Sequence, residues 1–169
     1  MSIVLVRIDD RLVHGQIVQG WLKMILVDIL LVVSDIVACD KMQQMLMTLA
    51  MPSDVRLDMK NLKDATNAII SGQYNKKRVM ILLVCPDDVL YMIEKGADFK
   101  SVNVGGMHFV NGKRQLFYNI CVDDKDIESL YKIYSKGIEV EGRILPDGER
   151  VNIMPVIEKE YLAFCKSNK

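Results

Sequence analysis

The residues best suited to chemistry crowd into one stretch near the N-terminus, "RIDDRLVHGQIVQGW", running from Arg7 to Trp21. There an apolar opening segment meets Arg7, Asp9, Asp10, Arg11 and His14, followed by Gly15, Gln16 and the only tryptophan of the chain. So many charges at the edge of an apolar segment cost desolvation unless a partner or ligand offsets it. His14 is the one residue of the cluster able to act as a nucleophile near neutral pH, because an imidazole of ordinary pKa, about 6.5, keeps a large neutral share with a free ring lone pair. Arg11 stands where a helix is expected to begin, and a cation there is disfavoured by roughly a few tenths of a kcal/mol unless an anion joins it. Asp9 or Asp10 could supply that anion. An external phosphate would be held better, by free backbone N–H groups and a planar guanidinium together. Gly15 lets such a ligand approach the backbone closely. An imidazole can accept a phosphoryl group, and phosphoryl transfer asks for little beyond in-line positioning and charge stabilisation.

The residues alone leave other readings open. A single histidine near a strand end can be a cap or a structural group. Asp9, Asp10 and His14 could form a metal site of a metal-dependent hydrolase, although no His-x-x-His or further carboxylate follows nearby. The same loop could belong to a non-enzymatic regulatory module that binds a phosphorylated ligand. A dinucleotide site would call for G-x-G-x-x-G after the first strand, which is absent.

The elements around the cluster can be read from periodicity. Residues 3–8, 28–33, 55–59, 79–84 and 101–106 read as strands, and 28–33 and 79–84 are nearly continuous Val, Ile and Leu, as in a parallel sheet covered on both faces. Amphipathic helices alternate with them. Residues 15–25 place Ile17, Val18, Trp21, Leu22 and Ile25 on one face, and residues 38–50 do so with Met42, Met45, Leu46 and Leu49, before Pro52. Asn61, Pro86 and Asp123 mark helix starts, and Gly72, Gly96 and Gly137 mark stops. A last helix begins at about Pro155. Asn111-Gly112 and Asp147-Gly148 predict two small antiparallel hairpins. The expected fold is α/β: one doubly wound, mainly parallel sheet with helices on both faces and short hairpin additions, spanning residues 1–169 as a single domain.

Composition bounds the partners. Lysine plus arginine balance aspartate plus glutamate at 22 each, so no global field draws the chain to nucleic acid or an anionic membrane. The four cysteines, Cys39, Cys85, Cys121 and Cys165, are widely spaced, which argues for reduced thiols in a cytosolic core rather than zinc ligation. The N-terminus lacks a basic n-region, and the run Met24–Val33 is too short to span a bilayer, so no membrane insertion is expected and the cytoplasm is the expected location.

The stretch from Arg7 through Asp9, Asp10, Arg11, His14, Gly15 and Gln16 to Trp21 resembles the N-terminal motif of the IIB components of the mannose/fructose/sorbose family of the sugar phosphotransferase system. "VVSDIVACD" (32–40), "AMPSDV" (50–55), "NVGGMHF" (103–109) and "GIEVEGRILP" (137–146) resemble later parts of the family in order. The segments "MILVDILL" and "NIMPVIEKEYLAFCKSNK" do not add to the likeness. The resemblance implies a phosphoryl carrier without cofactor or metal. His14 would accept phosphate, on Nδ1, from the phosphohistidine of a IIA protein or domain and pass it to a sugar at the membrane IIC/IID complex, with which the chain would associate peripherally. Arg11 would clamp the phosphate, and Arg7 and Asp10, which would orient the loop, would make up the phosphate-binding set with Gly15 and Gln16.

Other residues carry weaker expectations. Trp21 reads as core, and Gly20 as a close contact with a strand. Asp9, Asp35 and His108 are candidate walls of the site, with a helix cap as the alternative for Asp35 and a structural or exposed role for His108. Gly105 and Gly106 suit a turn with positive φ, with a phosphate-facing backbone as the alternative. Lys113 and Arg114 read as solvated charges, and most of the eleven methionines as gap-filling core.

Overall fold

The computed structural model describes residues 1–167. Its chain opens with strand β1 (Ser2–Asp9), which leads into helix α1, a π-wound stretch Gln16–Trp21 continued by an α-turn Leu22–Met24. Then follow β2 (Ile29–Val33), α2 (Asp35–Cys39), α3 (Lys41–Ala50), β3 (Arg56–Lys60), α4 (Leu62–Ile70), β4 (Arg78–Leu83), α5 (Pro86–Glu94) and β5 (Ser101–Gly106). The last part holds β6 (Arg114–Phe117), β7 (Ile120–Val122), α6 (Asp124–Ser135), β8 (Glu139–Gly142) and α7 (Met154–Ser167).

Six strands form one sheet in the order β3-β2-β4-β1-β5-β8, and every neighbouring pair in it is parallel. Alternate side chains point to opposite faces. Ile29, Leu31 and Val33 enter one apolar cluster with residues of α4, α5, α6 and α7, while Leu30 and Val32 join Ile17, Trp21 and Val37 in the other. Covering both faces explains why β2 and β4 are apolar almost throughout. Because β1 lies between β4 and β5, its carboxyl end opens at the centre of the sheet edge, where doubly wound folds hold ligands.

Several helix ends follow the expected chemistry. Asn61 accepts from the Asp64 N–H, Asp123 and Asp126 form a reciprocal capping box, and Pro86 opens α5. The expected helix over 38–50 is interrupted, because the Asp40 carboxylate accepts from the Met42 and Gln43 N–H groups and starts α3 afresh. Its apolar face is not core either: Met42, Met45, Leu46 and Leu49 are exposed. Periodicity groups residues on one face, but does not say what covers that face.

The antiparallel additions also differ from expectation. Gly112 does take positive φ, but the hairpin turns at Tyr118-Asn119, so β6 and β7 form a separate two-stranded ribbon. The return after Asp147-Gly148 amounts to a single bridge between Gly142 and Val151. Gly20 meets Leu145 in the segment after β8 rather than a strand; a Cβ on Gly20 would stand 2.7 Å from its Cδ2. All four cysteines are free, yet only Cys121 is buried, and Cys39 is exposed.

Candidate functional site

β1 ends in a tight turn at the centre of the sheet edge. The Leu12 N–H donates to the Asp9 carbonyl at 2.9 Å, with Asp10 and Arg11 between them. Leu12 takes φ 55°, a left-handed conformation that a branched side chain adopts only under constraint. Right-handed backbone resumes at Gly15. The N–H groups of Val13, His14, Gly15 and Gln16 find no acceptor among the described residues. Successive free N–H groups after such a reversal make a concavity for an anion, reinforced here by the first turn of α1. A Cβ on Gly15 would meet nothing within 4 Å, so the space over this backbone is open.

His14 stands inside this loop with its side chain 16 % exposed, accessible but held. Its Nδ1 lies 2.8 Å from the Leu12 carbonyl oxygen. Its Nε2 lies 3.3 Å from Gln16 Oε1 and 3.7 Å from Asp9 Oδ2. A carbonyl can only accept, so Nδ1 carries a proton in this conformation, and Nε2 likewise faces acceptors, the Gln16 amide oxygen and the Asp9 carboxylate. Arg11 donates from Nη2 to the same Gln16 Oε1 at 3.0 Å. Gln16 thereby joins the imidazole to the guanidinium, and Arg11 remains partly exposed.

Arg7 requires a correction. As a direct phosphate contact it is misplaced, since its side chain is wholly buried. The guanidinium pairs with Asp9 at 2.8 Å and donates to the Asn103 side chain and to the Arg143 carbonyl. Its Cζ also lies 5.2 Å from the Trp21 ring, with Arg143 at 5.1 Å from the same ring. Burial pushes Arg7 below its ordinary pKa, while the Asp9 carboxylate acts the other way. Gly105 and Gly106 make this pair possible, and neither has positive φ as a turn would require. A Cβ on Gly105 would fall 1.8 Å from Arg7 Cζ, and one on Gly106 would stand 3.3 Å from Asp9 Oδ1.

Asp9 is therefore a buried hub rather than a wall. It accepts from Arg7, lies 3.6 Å from Arg11 Nε, and faces His14. Asp10 turns the other way: its Oδ1 is 2.6 Å from His108 Nδ1, and its Oδ2 accepts from the His108 backbone N–H at 2.6 Å. Among the described residues no three His, Cys, Asp or Glu side chains converge as a metal-holding set. Asp35 accepts from the Leu62 N–H at the start of α4, while Ser34 caps α2. Trp21 is core, and its Nε1 donates to the Ile144 carbonyl. Lys113 and Arg114 are ion-paired to acidic residues, Lys113 to Asp126 at 2.8 Å and Arg114 to Asp124 and Glu160. Sequence reasoning missed Asn103 and Arg143; a lone Asn inside the apolar strand "SVNVGG" was the available signal.

The residues 3–168 match the model of the PTS system sorbose subfamily IIB component. The chain belongs to that family. It is 36 % identical over 157 residues to the fructose-specific EIIB component of Bacillus subtilis, covering 93 % of this chain and 96 % of that protein. It is 39 % identical over 159 residues to the mannose-specific EIIAB component of Escherichia coli, covering 94 % of this chain but 49 % of that longer protein. The crystal structure of the IIB domain of the Klebsiella pneumoniae sorbose permease superposes with a TM-score of 0.89 at 31 % identity, over 94 % of this chain and 98 % of that one. The doubly wound sheet and small ribbon are thus the IIB architecture. As a PTS IIB component, the chain functions in sugar phosphotransfer. No helix among the described residues is long and apolar enough to cross a membrane.

Proposed function

We propose that this IIB component carries the phosphoryl group on His14, accepting it from a phosphohistidine of a IIA protein or domain and passing it to a sugar at a membrane IIC/IID complex. The observation that carries the reading is the joint placement of a partly exposed imidazole, Arg11 and four unpaired backbone N–H groups in one loop. The phosphorus–nitrogen bond of the donor breaks as one to His14 forms, and the transferred oxyanions settle against the free amides and Arg11.

Phosphorylation at Nδ1, which the family resemblance implies, asks the ring to leave the Leu12 carbonyl and hold its proton on Nε2. Gln16 Oε1 and Asp9 Oδ2 stand on that side to receive it. Arg7 acts one step back, by fixing Asp9. The fusion named in the E. coli mannose EIIAB component supports a IIA partner, there within one chain.

The test is phosphorylation by phosphoenolpyruvate, the general phosphotransfer proteins and a cognate IIA. Acid-labile label on the wild type and none on His14→Ala is the expected result. Label that survives in His14→Ala removes His14 as the acceptor.

A further inference from the structure

Two carboxylates precede Arg11 directly in sequence, yet neither forms a close pair with it. Asp9 spends its short contact on Arg7 at 2.8 Å and comes only within 3.6 Å of Arg11 Nε. Asp10 shares the turn with Arg11, and both of its oxygens are held by His108, each at 2.6 Å. Arg11 is left with Gln16 Oε1 as the sole hydrogen-bond acceptor of its guanidinium among the described residues, and with its side chain 41 % exposed.

A planar guanidinium beside an uncommitted carboxylate forms a charge-assisted, two-pronged pair, and that pair would occupy the same donors a phosphate needs. We propose that His108 is a positioning residue for phosphoryl transfer at His14: with its ring on Oδ1 of Asp10, beside the backbone N–H that holds Oδ2, it keeps that carboxylate off Arg11 and leaves the guanidinium open to phosphate. The inference rests on the phosphoryl-carrier reading of His14 and adds a residue to it.

The surroundings support this assignment. The Asp10 N–H donates to the Gly106 carbonyl at 3.1 Å, so the backbone of Asp10 is anchored to the end of β5 while its side chain reaches the segment that follows. That segment is itself fixed, because the Met107 N–H donates to the Asn119 carbonyl and the Cys121 N–H to the Met107 carbonyl. Lys113 is the other cation whose charge acts on this region, and it is already paired with Asp126 at 2.8 Å. Loss of the His108 ring frees Oδ1 of Asp10 while Oδ2 keeps the backbone N–H, and Arg11, without a close carboxylate partner, is the neighbouring cation in the turn. His108 does not touch the phosphate in this account. It works through Asp10.

The experiment compares rates of label transfer from phosphorylated IIA to the wild type, His108→Ala, His108→Asn and the double variant His108→Ala with Asp10→Asn. Urea unfolding midpoints establish that each is folded. His108→Ala is expected to slow transfer roughly three- to tenfold, the scale of an ion pair at a half-exposed site. His108→Asn should keep near wild-type rates, because its side-chain amide can still donate to Asp10. The double variant should recover most of the lost rate, since a neutral amide no longer draws Arg11 away; a merely structural role for His108 predicts no such recovery. A wild-type rate in His108→Ala overturns the proposal, as does a double variant no faster than His108→Ala. A wild type that takes no label overturns the carrier reading itself, and with it this inference.

Discussion

Arg7 and Asp9, two residues apart on β1, form an ion pair of 2.8 Å with both side chains fully buried. Side chains at i and i+2 of a strand share a face, so the pair is written into the spacing of the motif. The pair makes the last turn of β1 rigid and points Asp9 at Arg11 and His14.

Removing one partner of a buried pair leaves the other charge uncompensated, at a cost of about 3–5 kcal/mol. Arg7→Leu is therefore expected to lower the unfolding free energy from urea titration by an amount of that size and to slow phosphoryl transfer with it. An Arg7→Leu protein of unchanged stability would show that Asp9 is satisfied some other way.

Gly105 and Gly15 should part stability from function. Gly105→Ala puts a methyl group onto the Arg7 guanidinium, and overpacking of this kind costs about 1–3 kcal/mol or more. Gly15→Ala meets no protein atom within 4 Å. Its thermal midpoint should hold while its transfer rate falls, because the added methyl stands where phosphate must approach the backbone. Thermal melts and single-turnover transfer on both variants check this.

Arg11→Lys keeps the charge and loses the planar fork. Transfer is expected to slow by roughly one to two orders of magnitude, with the fold unaffected. Rapid-quench measurement of the IIA-to-IIB step provides the check, and a wild-type rate would remove Arg11 from the phosphate clamp.

Acid sensitivity has an identifiable contributor away from the site. Hydrogen bonds from the Arg78 side chain and backbone hold the Asp28 carboxyl down at about 2, below its ordinary 3.8. A carboxyl depressed in the folded state adds stability that is complete above the unfolded pKa and is lost as pH falls through the folded one. Asp28→Asn should be less stable than wild type at neutral pH. The difference should narrow between about pH 4 and pH 2, followed by denaturant titration at each pH.

The parallel core was legible because β2 and β4 are almost continuous Val, Ile and Leu, broken in β4 only by Arg78 at its start and by Met80, as suits strands covered on both faces. The grouping of His14 and Arg11 in one loop after β1 was legible from the motif, although their types and spacing left a cap or a metal site open as readings. The inner support was not. Whether Arg7 faces phosphate or Asp9 depends on room left by Gly105, a strand distant in sequence, and no local pattern reports that. The exposed face of α3 was missed for a related reason, since helical spacing does not reveal which neighbour is missing. The π-wound start of α1, where the Leu22 N–H donates to the Ile17 carbonyl, has no counterpart in the 3.6-residue spacing read from the sequence.

The most direct measurement is intact-protein mass together with peptide mapping after phosphorylation by cognate IIA under alkaline conditions. The account expects one phosphoryl group per chain, borne by the peptide containing His14 and absent from His14→Ala. A phosphoryl group on any other peptide, with His14 unmodified, would contradict it.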